Sequence, residues 1–295
     1  MVIFEHIAKR YGSLKAVDDL SFTVKPGVTG FLGPNGAGKT TTLRIATDLI
    51  RPDAGKVSYD GQPYAKIRKP ATHVGLALEP VVFHPGRTAL DHLMMLAPYA
   101  GVGKKRCQEV ISLVGLGDVA GKRVGKFSLG MRGRLNLAAA LLGDPEILLL
   151  DEPVNGLDPE GIRWMRELLR SLAGEGRTVL ISSHLLSEVA QTVDRVVIIA
   201  HGKLVYEGSL ADLESASTSG VIVQTSDPAS LRALAQQHNW TISVQPGQIL
   251  IEGPTAAEVG AAAFSAGIPL EGLASHTSDL ESIFLSLTEG QGEMR

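Results

Sequence analysis

Short apolar runs separated by turn residues dominate the first sixty positions. Phe22 to Val24 ends at Lys25-Pro26-Gly27, Val28 to Leu32 runs into a glycine-rich stretch, and Val57 to Tyr59 stops at Asp60-Gly61. Runs of this length, punctuated by Pro and Gly, predict strands, with one helix starting near Lys39. From about 84 to 143 the period changes. Leu90, Leu93, Met94 and Ala97 recur at helical spacing, as do Leu135, Ala138, Ala139 and Leu142. The pattern predicts a helical insertion with these side chains in its core. Beyond it, Ile147 to Leu150, Val179 to Ser182 and Val196 to Ile199 are continuous apolar runs between helical stretches. Such runs mark parallel strands buried on both faces. A first, α/β domain is therefore expected over 1–210.

The period then fades. Residues 211–220, with Glu214 to Gly220 rich in Ser, Thr, Gly and Ala, read as a linker. Strands are expected at Val221 to Thr225, Trp240 to Val244 and Ile249 to Glu252, the last two joined across Gln245-Pro246-Gly247. Helices are expected at Pro228 to His238 and Thr255 to Ala266. A further strand near Pro269 to Ala274 completes a small βαββαβ-like α+β domain over 221–295. Ser278-Asp279-Leu280-Glu281 reads as a capping box opening a last helix, with Leu280, Ile283, Phe284 and Leu287 at helical spacing. No site chemistry is visible here, and the region reads as a packing or dimerisation module.

Composition narrows the class. The 295 residues suffice for two domains, and 44% hydrophobic with 20% charged residues is ordinary for a globular protein. A net charge of -3 without a basic arm or face gives no electrostatic footprint for nucleic acid. Cys107 is the single cysteine, so an internal disulfide or a cysteine-based zinc cluster is excluded, and packing or exposure on a helix remains. No run approaches the roughly 18 apolar residues that span a bilayer, and Glu5 and His6 stand where a signal peptide would be apolar. A cytoplasmic location is the expectation.

Chemistry enters at Gly33-Pro34-Asn35-Gly36-Ala37-Gly38-Lys39-Thr40, followed by Thr41. Glycines at these positions let backbone N–H groups wrap a polyphosphate, and the following helix N-terminus adds a favourable dipole. Lys39 would reach the β/γ-phosphates and Thr40 would offer its hydroxyl to Mg²⁺. The bland alternative, a glycine-rich turn with a chance Gly-Lys-Thr, fits the flanking strand and helix patterns poorly. A second motif is the run Ile147 to Leu150 ending in Asp151-Glu152. Ligand sites of open α/β sheets lie at such strand ends, which places Asp151 to hold Mg²⁺ and Glu152 to polarise an attacking water. Alone, an acidic pair there is more often a cap or solvated turn; beside a phosphate loop it is not. His184 closes the run Thr178 to Ser183, within reach of a γ-phosphate if that strand shares the sheet.

These residues together resemble the ATP-binding subunits of ATP-binding cassette (ABC) transporters, over roughly 1 to 210. The family's motifs fall in order: the phosphate loop, a Q-loop position at Glu79, a signature at Phe127-Ser128-Leu129-Gly130-Met131, the Asp151-Glu152 pair, and His184. The resemblance implies a P-loop ABC cassette with a mixed sheet core. It implies that Tyr11 stacks on adenine, against the competing reading of an ordinary half-buried tyrosine. It implies that Asp158 is the acid of the D-loop, and that ATP is sandwiched between two subunits. Ser128, Leu129 and Gly130 of one then act on nucleotide held by the other. Independently, Ser128 reads as the N-cap of a helix, and Asp158-Pro159 as a cap followed by proline in the first turn.

Two departures from the family pattern stand out. Glu79 replaces a glutamine, adding charge near Mg²⁺ and losing an amide donor, which predicts slowed or altered hydrolysis. In the signature, Leu129 and Met131 replace a glycine and a glutamine. With the appended domain, these features resemble cassettes of bacterial ABC-2-type exporters of antibiotics, peptides or lipids. The resemblance then implies an ATPase using ATP and Mg²⁺, a homodimer, and a separate multi-helix permease holding it at the inner face of the cell membrane. Val82-Phe83-His84-Pro85 would help shape the groove for that permease. Other readings are a cassette ATPase acting on ribosomes or DNA, opposed by a single cassette without long heptads, and a slowly hydrolysing regulatory binder, opposed by Glu152 and His184.

Overall fold

The chain opens with strands β1 (Val2–Tyr11), β2 (Leu14–Val24) and β3 (Gly27–Leu32), then helix α1 (Lys39–Ala46), β4 (Ala54–Tyr59) and β5 (Val74–Ala77). Three helices follow: α2 (Ala89–Ala100), α3 (Lys104–Leu113) and α4 (Leu129–Ala140). Strands and helices then alternate as β6 (Ile147–Leu150), α5 (Pro159–Gly174), β7 (Thr178–Ser183), α6 (Leu186–Val189), β8 (Arg195–Ala200) and β9 (Lys203–Ser209). The remaining elements are α7 (Leu210–Ser215), β10 (Ser219–Gln224), α8 (Pro228–Gln237), β11 (Thr241–Gln245), β12 (Gln248–Glu252), α9 (Ala256–Ser265), β13 (Gly272–Thr277) and α10 (Leu280–Glu289). The structure is a computed structural model and describes residues 1–80, 82–215, 219–245, 248–277 and 280–289. Two units are distinguished: Met1–Leu210 with the described residues from Leu287 on, and Ala211–Ser286.

In the first unit a six-stranded sheet runs in the order β5-β6-β7-β3-β8-β9, parallel except for β9. Of its inner strands β6 and β7 are buried along their whole length and β3 and β8 at every position but the first, which is why they read as apolar runs. A second, antiparallel sheet of order β2-β1-β4 packs against it. Phe4 stacks on Phe22 within the second sheet, ring centroids 4.2 Å apart, and Phe22 stacks on Phe31 of the first sheet at 5.2 Å. Parallel pairing of β6 with β7 and of β7 with β3 sets the C-terminal ends of the three strands along a common rim.

The helical insertion differs from its sequence reading at specific side chains. On α2 the buried positions are Ala89, Leu93, Ala97 and Ala100, whereas Met94 is 37% exposed. Met94 is therefore not a core residue. The reason is angular: the i, i+4 row from Ala89 through Leu93 to Ala97 faces inward, and Met94 lies one position round from it. Helix α4 ends at Ala140, so Leu142 is buried from the following turn, and Leu137 and Ala140 are more deeply buried than Ala139. Cys107 is fully buried on α3 and serves packing.

In the second unit the four strands order as β11-β12-β10-β13, every neighbouring pair antiparallel. This is a split βαβ arrangement: β10 and β11 run parallel with β12 between them. Val221, Val223, Ile249 and Ile251 pack with Leu231 and Val259 in a core of their own. Asp227 caps α8, and Thr255 with Glu258 forms a reciprocal capping box on α9. The expected linker at 211–220 is corrected, since α7 occupies Leu210–Ser215 and β10 begins at Ser219. Leu210 and Leu213 are buried one helical turn apart, just ahead of the Ser/Ala-rich residues that begin at Glu214. The turn at 246–247 and the Ser278-Asp279 half of the expected capping box lie outside the described residues.

Candidate functional site

The phosphate loop joins β3 to α1, and its glycines answer specific steric demands. Gly38 has φ +105°, and a Cβ there would lie 2.2 Å from the Ala16 carbonyl oxygen; one on Gly33 would lie 2.5 Å from the Ile199 carbonyl. Only glycine fits. Pro34, Asn35 and Gly36 form the exposed tip, Ala37 is buried, and Thr41 sits half-buried in the first helical turn. Lys39 is 7% exposed, and its Nζ donates to the Gly33 carbonyl at 2.7 Å and to Pro34 at 3.4 Å. The ammonium thus lies across the mouth of its own loop.

Parallel pairing of β6 with β7 brings the acids to the same place. Asp151 is 4% exposed and accepts from Ser182 Oγ at 2.6 Å and from Thr40 Oγ1 at 2.8 Å. A buried carboxylate needs such partners on both oxygens. Ser182 Oγ in turn accepts the Glu152 N–H at 2.9 Å. Glu152 has φ +48°, a left-handed backbone that costs a non-glycine residue roughly 1–3 kcal/mol. The side chain it directs spans two partners: Oε2 lies 3.0 Å from His184 Nδ1 and Oε1 lies 3.5 Å from Lys39 Nζ. Glu79, just past β5, accepts from Asn155 Nδ2 at 3.1 Å. Burial and the negative charges of Asp151 and Glu152 raise its carboxyl above the ordinary range, against the opposing Asn155 hydrogen bond.

Lys39, Thr40, Asp151, Glu152, His184 and Glu79 therefore share one region. Three residues in it were given no role by the sequence: Ser182, within the strand run before His184, Asn155, which opens the Asn155-Gly156-Leu157-Asp158 segment, and Asn136, whose Nδ2 donates to the Leu78 carbonyl at 3.1 Å and fixes the approach to Glu79. The signal for Ser182 was a hydroxyl at the end of a fully buried strand, where it demands a partner.

Other expected site residues lie apart. Tyr11 ends β1 and is 47% exposed, with Lys9 Nζ 5.8 Å from its ring centroid, an exposure that fits both the adenine-stacking and the half-buried reading. Ser128 caps α4, its Oγ accepting from Met131 N at 3.2 Å, and Leu129 beside it is 58% exposed. Asp158 caps α5 by accepting from Gly161 N at 2.8 Å. Ser128, Gly130, Met131, Arg134 and Asp158 line a cavity of about 470 Å³ to which no residue of the phosphate loop contributes. A separate groove of about 630 Å³ includes Val82, 87% exposed, and Phe83, set edge-on to His92.

Residues 17–155 match the family model described as "ABC transporter", and residues 219–281 match a domain of unknown function, DUF8746. The chain is 45% identical over 236 residues to the bacitracin transport ATP-binding protein BcrA of Bacillus licheniformis, covering 79% of this chain and 77% of that protein. The chain belongs to the ABC transporter ATP-binding subunits. This ABC cassette is also 35% identical to the ABC transporter ATP-binding protein YcbN of Bacillus subtilis, over 96% of this chain and 95% of that one. That match extends through the second unit. A solved structure described as the ATP-binding subunit of an ABC transporter superimposes with a TM-score of 0.66 at 25% identity, covering 73% of the cassette and 92% of that chain.

The cassette is thus an ATPase whose described residues concentrate the phosphate loop and two acids on one sheet rim. The donors there suit Mg²⁺, because Asp151 and Thr40 present hard oxygens already set 2.8 Å apart. Among the described residues no three His, Cys, Asp or Glu converge to hold a metal unaided. An ion at this rim would take one or two protein oxygens and the rest from phosphate and water.

Proposed function

We propose that two copies of this cassette pair head to tail, trap two ATP molecules between them, and drive a separate membrane subunit that exports an antibiotic, drug, peptide or lipid. The observation that carries the pairing is the separation of two half-sites: the phosphate loop with Asp151, Glu152 and His184, and the cavity at Ser128, Gly130 and Asp158. Each half lacks what the other offers. In this reading Gly33 to Thr41 wrap the phosphates, Lys39 leaves its loop carbonyls for the β/γ-phosphates, and Tyr11 stacks on adenine. Thr40 and Asp151, with Glu79 nearby, would hold Mg²⁺, which supplies charge neutralisation at the phosphate oxygens. Glu152 takes the proton of the attacking water, and His184, hydrogen-bonded to it, keeps that carboxylate oriented beside the γ-phosphate. Ser128, Leu129 and Gly130 close on the nucleotide from the facing copy, with Asp158 at the same junction.

Transport is supported by likeness to the relative named for bacitracin transport, and its outward direction by the resemblance to exporter cassettes. No helix among the described residues is long and apolar enough to cross a membrane. The cargo path belongs, in this reading, to a multi-helix permease that seats in the groove at Val82 and Phe83 and holds the cassette at the inner membrane face. Mixing two inactive variants tests the pairing. Lys39→Ala removes one half-site and Ser128→Arg the other, so a mixed dimer retains one intact composite site. Phosphate release should reappear on mixing; turnover no higher than that of the separate variants would contradict the composite site.

A further inference from the structure

The net charge of -3 conceals a local excess of the opposite sign. From Val119 to Leu142 the chain carries five cations, Lys122, Arg123, Lys126, Arg132 and Arg134, and no acid. Three of them, Lys122, Arg123 and Lys126, are exposed and take no ion pair or side-chain hydrogen bond among the described residues. They meet on one cavity of about 670 Å³, with Phe127 and Met131 completing the wall. The backbone that carries them is held rather than loose. Val124 N donates to Arg87 O at 2.9 Å and Gly125 N to Pro85 O at 3.0 Å, while Val124 and Phe127 are buried as anchors. With those two positions turned inward, the cations between and before them face out.

Three like charges on one concave surface repel one another and raise the local concentration of anions. The N-terminus of α4, opened by Ser128, adds its partial positive charge beside them. Met131 lines this cavity and also the cavity that holds Ser128 and Gly130, so the two adjoin. That continuity selects among anions.

We infer that Lys122, Arg123 and Lys126 form a phosphate-binding pocket that engages the nucleotide carried on the phosphate loop of the facing copy, beside the Ser128 contact. The inference rests on the head-to-tail reading and assigns the basic pocket a role in closing the dimer. It makes closure depend on three charges outside the signature itself, screened by salt.

The test uses the full chain in a Glu152→Gln background, where ATP is held without turnover, and reads ATP-driven dimerisation by light scattering. In the triple variant Lys122→Ala, Arg123→Ala, Lys126→Ala, half-maximal dimer formation should need about tenfold more ATP at low salt, with a smaller gap at high salt. Binding of ATP to the monomer, followed with a fluorescent ATP analogue, should stay unchanged, and the charge-preserving swap Lys122→Arg, Arg123→Lys, Lys126→Arg should dimerise like the parent. If the triple variant fails to fold by its melting curve, Lys126→Glu alone is put through the same titration. Unchanged dimerisation overturns the pocket's role and leaves the head-to-tail reading standing. A Glu152→Gln parent that never dimerises with ATP overturns both. Unchanged dimerisation with lost binding to phosphatidylglycerol vesicles assigns the pocket to lipid headgroups, which also overturns it.

Discussion

Thr40 Oγ1 donates to Asp151 Oδ2 at 2.8 Å, tying the first turn of α1 to the end of β6. The other oxygen of Asp151 is taken by Ser182, so the carboxylate is fixed at both ends before any ion arrives. Ser182→Ala removes that second hold and strands the Glu152 N–H. The expected cost is about 1.5–3 kcal/mol of stability, for a buried hydrogen bond to a charged group. The Mg²⁺ needed for hydrolysis should rise about 10–100-fold, as for other partners of metal-binding residues. Thermal melting and an Mg²⁺ titration of phosphate release measure the two effects, and Ser182→Thr should restore most of both.

Glu152 is held between Lys39 and His184 at 3.5 and 3.0 Å. Glu152→Gln keeps the shape and loses the proton acceptor. Turnover should fall by about 10²–10⁴-fold, the range for a lost general base, while ATP binding persists. Steady-state hydrolysis near the parent level would remove Glu152 from that role.

Lys39→Ala deletes an ammonium that is 7% exposed and leaves the Gly33 carbonyl without its partner. In a direct binding assay ATP affinity should drop by about tenfold or more, since a charge-assisted contact to phosphate is lost. Unaltered affinity would contradict the phosphate-loop assignment.

Glu79 carries a carboxyl raised by burial and by the neighbouring Asp151 and Glu152 charges. Its folded pKa lies above its unfolded one, so its stabilising contribution is full below the unfolded carboxyl range and is lost as pH rises through the folded value. Above that range the ionised side chain weighs against the fold. Glu79→Gln should therefore melt higher than the parent at neutral pH, with the gap closing as pH falls toward about 4. Melting curves of the nucleotide-free protein across that interval provide the check. A gap that stays constant with pH would show that the charge is not its origin.

Contiguous features were open to sequence reasoning because their physics is local. The phosphate loop needs glycine at Gly33 and Gly38 for reasons of backbone contact, and the buried strands show as apolar runs. Pairings between distant residues left no such trace. Asn155 with Glu79, Asn136 with Leu78 and Ser182 with Asp151 join separate elements, and nothing in their immediate neighbours announces them. Composition misled where it averaged over position. The Ser/Ala-rich residues after Glu214 drew attention from Leu210 and Leu213 just before them, and the net charge hid the cations between Lys122 and Lys126.

Two glycines of the loop separate backbone preference from steric contact. Gly36 and Gly38 have φ of +82° and +105°, so alanine is strained at either. Their surroundings differ. A Cβ on Gly36 would meet nothing within 4 Å, whereas one on Gly38 would stand 2.2 Å from the Ala16 carbonyl oxygen, which belongs to β2 and cannot yield without disturbing that strand. Gly36→Ala should cost about 1–2 kcal/mol, the strain of the left-handed region alone. Gly38→Ala adds the collision and should cost about 3–5 kcal/mol, in the range of severe backbone and overpacking changes. Equal melting temperatures for the two variants would show that the backbone angle, not the approach of β2, sets the requirement for glycine at Gly38.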